Sequence, residues 1–232
     1  MAERKEDDPS SREEYLAYLF DTLRQNEAFL YEHARELYAE IIALETDARD
    51  NLASWGGGRV TPEDYAKTAM RHFEVHVLLP VSGAIHLNAL AGNLPGCCYA
   101  LRLALESLVK CYLADIRYPD QGFFRDKICL LEESPNGKRR STTSFMEEWD
   151  KLLEREDGSA ALWKELSQMW VYARGVMEGI TNRIVQQTEA PAWGVVLPQA
   201  YTMGDMTTLD ELKRRLSQFR SLLRDAMSHT GP

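Results

Sequence analysis

The chain has 232 residues, of which 44% are apolar and 27% are charged, and its formal net charge is −9. Such a composition is typical of a soluble globular protein, and the acidic balance argues against a surface that binds nucleic acid over its whole extent. Charges or prolines interrupt each apolar run before it reaches the length of a membrane span. The sequence therefore predicts a globular chain without a membrane partner.

Four cysteines occur at positions 97, 98, 111 and 129, and none of them forms a C-x-x-C pair. Free buried thiols behave as small apolar side chains and persist in a reducing compartment. The first residues are polar and lack the apolar core of a signal peptide. We therefore predict a cytoplasmic protein with a disordered tail over residues 1–10 and a single helical domain over residues 11–232.

The first predicted element is one long helix over residues 11–54. Leucine recurs there every seventh residue, and a second apolar position follows four residues after most of these leucines, which is the pattern of a heptad seam. Such a seam predicts a second helix lying alongside, and three glycines at 56–58 end the pattern. The seam residues are Leu16, Phe20, Leu23, Leu30, Ala34, Leu37, Ile41, Leu44 and Ala48.

The second and third predicted helices are separated by Pro95 and Gly96. Thr61 and Pro62 are suited to begin the second helix, which runs towards Asn93 and is expected to kink near Pro80. The third helix contains the stretch "CCYALRLALESLVKCYLADI", residues 97–116, and ends before Pro119.

Shorter helices are predicted over residues 123–133 and 142–155, a longer one over 159–186, and a last one beginning after Thr207 and Thr208. The apolar run Trp193 to Leu197 lies among prolines and glycines, so we expect an extended segment pressed against the bundle or a partner. The predicted fold class is all-α, a helical bundle of about five to seven helices with a long N-terminal helix.

A charged stripe runs along the apolar third helix, because Arg102, Glu106 and Lys110 follow one another at intervals of four residues. We interpret this stripe as the wet side of the helix, with Glu106 serving both cations in an exposed ladder. The alternative is a central helix, in which these charges must be paired because a lone buried charge is costly.

The stretch "YALRLALESLVKCYLAD" resembles the second helix of HEPN-type domains, in which a glutamate is followed four residues later by a lysine, matched here by Glu106 and Lys110. The resemblance implies an all-α, HEPN-like bundle that usually dimerises. Catalytic members of that family are metal-independent ribonucleases whose signature is an arginine followed, after four to six residues, by a histidine.

The stretch "RDAMSH" contains such a spacing, from Arg224 to His229, and "RHFEVH" contains a second one earlier in the chain. If the family chemistry applies, His229 would move a proton, Arg224 would hold the phosphate and Asp225 would orient the histidine. The alternative is a polar terminal turn, in which cationic groups suit the negative end of the helix dipole.

Other constellations give no metal or cofactor site. His72 and His76 share one helical face, a spacing that can ligate zinc, but neither a second such pair nor an E-x-x-H motif accompanies them. We interpret them as hydrogen-bonded helix residues, and we interpret the basic run 138–140 as a solvated loop. The sequence predicts no cofactor.

Two functions from different classes are consistent with this sequence. The first is a HEPN-like helical interaction or scaffold module without catalysis, forming a homodimer through helical faces, with RNA or a second protein as a further partner. The second is a metal-independent HEPN-type ribonuclease of a toxin-antitoxin or antiviral system. A small-molecule pocket beneath the segment 193–197 is a third hypothesis.

Overall fold

The computed structural model describes residues 9–56, 61–133, 139–155, 158–171 and 199–229, with side chains for 12–53, 61–133, 139–155, 158–168 and 199–228. This part of the chain is helical apart from its turns and connections and one isolated antiparallel bridge between Glu133 and Arg139. The predicted all-α class is confirmed, and the helices pack as a bundle. The segment Trp193 to Leu197, with the hypothesis of a pocket beneath it, lies outside the described residues.

The bundle contains more helical segments than the five to seven expected. A π-helical turn, Glu74–Leu78, joins the fourth segment to the fifth, so that residues 69–90 form one continuous helical run. The α-helices are α1 Pro9–His33, α2 Arg35–Gly56, α3 Pro62–Lys67, α4 Ala69–Phe73, α5 Leu79–Leu90, α6 Leu94–Arg117, α7 Phe124–Glu132, α8 Thr142–Leu152, α9 Ser159–Val171 and α10 Met206–His229.

The long N-terminal helix is interrupted at Ala34, so the expectation of one uninterrupted helix is wrong at that residue. The interruption is slight, because the Ala34 amide still donates to Leu30 and the Tyr38 amide to Ala34, both at 3.0 Å. The seam is buried from Leu30 to Ala48, where α2 packs against α5 and α10. Leu16 and Phe20, at its beginning, are exposed. The helix that the seam requires is therefore supplied by the same chain, along the later part of the seam.

The predicted second helix begins as expected at Thr61, whose hydroxyl accepts from the Asp64 amide while the Asp64 carboxylate accepts from the Thr61 amide. An additional break follows at Thr68, and there the Asp115 carboxylate accepts the Ala69 and Met70 amides. The distortion expected near Pro80 takes the form of the π-helical turn just before it. This placement is consistent with the steric conflict between a proline ring and the preceding helical turn.

Helix α6 is the centre of the bundle, as its apolar sequence requires. It packs against α4, α5, α7, α8, α9 and α10. Twelve of its residues are buried, among them Leu101, Leu105, Leu108 and Tyr112. Because neighbours surround most of its circumference, an apolar surface on nearly every side of this helix is stabilising.

The later helices have boundaries close to those predicted. Helix α7 matches the expected short helix, and α8 ends at Leu152, three residues early, shortly before Glu154 with its positive φ of 53°. Helix α9 is described to Val171, and the rest of the predicted range to 186 lies outside the described residues. Helix α10 begins at Met206, before the predicted start, because a capped 3₁₀ turn over Met203–Asp205 leads directly into it.

The chain returns to the bundle at residues 199–201 through hydrogen bonds to the buried side chain of Asn26. Its amide nitrogen donates to the carbonyls of Leu90 and Gln199, both at 2.7 Å, and its oxygen accepts the Tyr201 amide at 2.7 Å. The Tyr201 hydroxyl also donates to the Ala89 carbonyl at 2.6 Å. One polar side chain therefore joins α1, the end of α5 and the segment that precedes α10.

The helical run over residues 69–90 is long and apolar enough, by length and composition, to cross a membrane, contrary to the expectation from the sequence. Its inner face carries Phe73, Leu78, Ile85 and Ala89, which are buried in the core against α2 and α6. A buried core helix passes the same test of length and apolarity, so this run is weak evidence for a membrane span.

Candidate functional site

The charged stripe of α6 is half-buried beneath α7, α8 and α9, and the interpretation of an exposed, wet ladder is therefore wrong. The side chains of Arg102, Glu106 and Lys110 are 22%, 25% and 26% exposed. Arg102 Nε donates to Glu106 Oε1 at 3.0 Å, which confirms the first contact of the ladder. The alternative that the sequence left open, a central helix with paired charges, describes the structure.

Trp163 of α9 covers the first two members of the stripe. Its indole Nε1 donates to Glu106 Oε1 at 2.6 Å, and the Arg102 guanidinium lies 5.3 Å from the centroid of its ring. One carboxylate oxygen of Glu106 therefore accepts two hydrogen bonds, while Arg102 also has an aromatic face beside it. This arrangement compensates for the partial loss of solvent around both charges.

Lys110 pairs with α7 instead of completing the ladder to Glu106. Its Nζ donates to Glu132 Oε1 at 2.7 Å, and Arg139 lies 3.2 Å from the other oxygen of Glu132. The hydrogen bond from Lys110 is the main cause that lowers the pKa of Glu132 below its ordinary value. A carboxylate between two cations thus attaches the end of α7 to the central helix and to Arg139.

A second carboxylate between two cations lies on α8. Glu148 accepts from Arg117 of α6 and from Arg140, in each case at 2.5 Å. The ring of Phe145 lies between the two ion-pair groups, with Arg140 4.4 Å and Lys110 5.7 Å from its centroid. Arg140, predicted as part of a solvated loop, is therefore a half-buried structural residue, whereas its neighbour Arg139 is 87% exposed.

The partners Trp163, Glu132 and Glu148 were not predicted from the sequence. Trp163 is 57 residues from Glu106, and Glu132 is 22 residues from Lys110. Glu148 is 31 residues from Arg117. No local spacing rule joins residues so far apart. The available signal was general: a half-buried charge on a central helix requires a partner of opposite charge on a neighbouring helix. In its present form the stripe fixes α7, α8 and α9 onto α6.

The predicted catalytic group lies on the last helix, and the structure describes the side chains of two of its three members. Arg224 is exposed, and its Nε donates to the Arg220 carbonyl at 3.3 Å. The Asp225 carboxylate forms a salt bridge with Arg155, from the connection between α8 and α9. The side chain of His229 lies outside the described residues. The contacts of Asp225 thus give it a structural role between α10 and that connection.

His72 and His76 lie on one face, as predicted, and their rings are stacked with centroids 5.6 Å apart. The Tyr65 hydroxyl is 2.7 Å from His76 Nε2, and the His72 ring stacks on Phe124 at 3.6 Å. Burial is the main cause that lowers the pKa of His72, and the charge of His76 adds to it. In the described part of the chain, no group of three or more metal-ligating side chains is assembled.

The fold and these contacts define the chain as an all-α bundle with a charged, partly covered network on its central helix. Comparison with known proteins adds no assignment to this description, since no family model, no curated protein and no solved structure matches the chain.

Proposed function

We propose that this chain is a HEPN-like helical interaction module, acting without catalysis, that assembles as a homodimer in the cytoplasm. The central position of the helix that resembles the HEPN family supports the first part of the proposal. The free cysteines at 97, 98, 111 and 129 support a reducing compartment. The charged groups of the stripe are engaged with one another or with side chains of α7 and α9 in the described contacts, which favours a structural role for them.

One observation carries the proposal of assembly: large apolar side chains are exposed along the first two helices. Among the described residues, six of the thirteen exposed large apolar side chains lie on α1 and α2. Contiguous exposed apolar surface on a soluble chain marks an interaction site. These six residues are Tyr15, Leu16, Tyr18, Phe20, Tyr31 and Ile42.

The proposal is tested by measuring the mass of the purified chain in solution by light scattering over a range of concentrations. A dimer is expected, with twice the 26.5 kDa of one chain. A mass of one chain at every concentration would contradict homodimerisation.

A further inference from the structure

The exposed face of α1 and α2 carries an eleven-residue pattern that is distinct from the buried heptad seam. Three large apolar side chains recur at this interval and are 56%, 61% and 39% exposed: Phe20, Tyr31 and Ile42. Three exposed alanines recur at the same interval: Ala17, Ala28 and Ala39. We call these six residues, together with the charged residues Asp21, Arg24, Glu32 and Arg35 that lie among them, the outer stripe.

An interval of eleven residues is close to three turns of an α-helix, so residues at this spacing stay on one side of a nearly straight helix. The backbone hydrogen bonds on either side of Ala34 carry the helical path from α1 into α2. From Ala17 to Ile42 the outer stripe spans roughly 38 Å at 1.5 Å per residue. It is therefore a continuous, exposed ridge along the side of the bundle.

The second half of the outer stripe borders an open groove of about 550 Å³. Tyr31 and Ile42 flank the small side chains of Ala39 and Ala43 in this groove. Arg220 of α10 also lines it, held in place by Glu40 and Asp47 at 2.7 Å each. Small residues between larger apolar ones allow the backbone of another helix to approach closely.

We propose that the outer stripe pairs with the outer stripe of a second copy of this chain, antiparallel, about a two-fold axis at Ala28. The proposal rests on the homodimer proposed above and specifies its interface. With the axis at Ala28, each residue of one copy faces the residue of the second copy for which the two residue numbers add up to 56. Ala17 then faces Ala39 of the second copy, which places Phe20 beside the groove.

Charge decides between the two possible directions of the helices. In the antiparallel arrangement Arg24 faces Glu32, and Asp21 faces Arg35, so that the two-fold axis generates four pairs of opposite charge. A parallel arrangement would place each of these residues opposite its own copy, giving four pairs of like charge. Within one chain, Arg24 and Asp21 form an ion pair on the surface, with their nearest charged atoms 3.9 Å apart. Because their side chains remain 81% and 66% exposed, both are accessible to a second copy.

A charge-reversal series tests the interface with the full chain. Arg24→Glu places the new glutamate opposite Glu32 of the second copy, and the two-fold axis repeats this repulsive contact. The dissociation constant measured by sedimentation equilibrium is therefore expected to rise at least about ten-fold. The double variant Arg24→Glu/Glu32→Arg restores opposite charges and is expected to return the constant to within a few-fold of the original. Arg12→Glu is the matched control, because it lies about 120° around α1 from Arg24 and is expected to have little effect.

Cysteine cross-linking locates the axis independently, in a background in which the exposed Cys129 is replaced by serine. Ala28→Cys is expected to form a disulfide-linked dimer on mild oxidation, because the two copies of residue 28 face each other. Ala39→Cys is the control, since its two copies would be roughly 33 Å apart in the antiparallel dimer and adjacent in a parallel one.

The outcomes separate this interface from dimerisation itself. A dimer that is insensitive to Arg24→Glu, or that cross-links through residue 39 instead of residue 28, overturns the antiparallel pairing and leaves the homodimer standing. Loss of the dimer in Arg24→Glu without recovery in the double variant also overturns it. A monomeric original chain overturns both proposals.

Discussion

At the scale of single residues, Glu74 is a carboxyl group placed in the described core. It lies in the π-helical turn, its residue is only 2% exposed, and its Oε2 is buried without a hydrogen-bond partner. Burial raises the pKa of Glu74 from 4.5 to about 7, and the charge of Arg71, three residues earlier, opposes this rise. A buried carboxyl group without a partner is less costly when it is protonated.

The stability of the fold is therefore expected to depend on the protonation of Glu74. The unfolded chain releases this proton near pH 4.5, whereas the folded chain keeps it until about pH 7. Between these two pH values the folded state binds more protons than the unfolded chain. The contribution of Glu74 to the free energy of unfolding therefore falls as the pH rises from 4.5 to about 7, by at most about 3 kcal/mol.

Glu74→Gln, which carries no proton to lose, is expected to be more stable than the original chain at about pH 8 and to differ little from it at about pH 4. Urea unfolding at both pH values measures this difference. Glu147→Gln, on the exposed face of α8, is the control. An equal effect of Glu74→Gln at both pH values would show that the carboxyl group does not titrate in the folded state as inferred.

At the scale of elements, the turn between α5 and α6 depends on Gly92. Its φ is +69°, a conformation that side chains disfavour, and a Cβ placed there would lie 2.2 Å from the Gln199 carbonyl oxygen. The Gln199 amide in turn donates to the Ala91 carbonyl at 3.1 Å. The turn between α5 and α6 and the segment at Gln199 therefore lie too close together for a side chain at position 92.

Two glycine-to-alanine substitutions are expected to have opposite effects for this reason. Gly92→Ala is expected to reduce the free energy of unfolding by about 2 kcal/mol or more, because both the backbone strain and the contact with Gln199 must be relieved. Gly83→Ala, within α5, meets nothing within 4 Å and is expected to stabilise by about 0.5 to 1 kcal/mol through helix propensity. Thermal and urea unfolding of both variants check the signs. A stabilising Gly92→Ala would contradict the close approach.

At the scale of the whole molecule, the ribonuclease hypothesis requires the last helix to form a working site. Asp225, which the ribonuclease hypothesis uses to orient the histidine, is held by Arg155. The contacts that the structure gives for this helix join it to α2, α6 and α9 as a core element. These features favour a structural last helix over a catalytic one.

We therefore expect the purified chain to leave RNA intact in buffer containing a metal chelator, with His229→Ala behaving identically. RNA integrity over time, measured by gel electrophoresis with thermal unfolding of both proteins, checks this expectation. Cleavage by the original chain that disappears in a folded His229→Ala protein would establish the ribonuclease instead.

How much of this molecule can be predicted from its sequence depends on the range of the interaction concerned. The third predicted helix was found because its apolar run and the following Pro119 are local signals, although Pro95 and Gly96, predicted as the boundary before it, lie in the first turn of α6. The same reasoning gave a wrong environment for Lys110, since its partner Glu132 lies on another helix. For the candidate catalytic group, the spacing of Arg224 and His229 could be read, but not the salt bridge between Arg155 and Asp225.

By itself, the sequence determined the fold class and several of the helix boundaries, because periodicity, capping residues and prolines act within a few residues of one another. Only the tertiary structure decided which charges are covered, which face of α1 and α2 remains exposed, and how Asn26 fastens the returning chain. These outcomes depend on contacts between residues distant in sequence, whose energies arise only when the helices have packed.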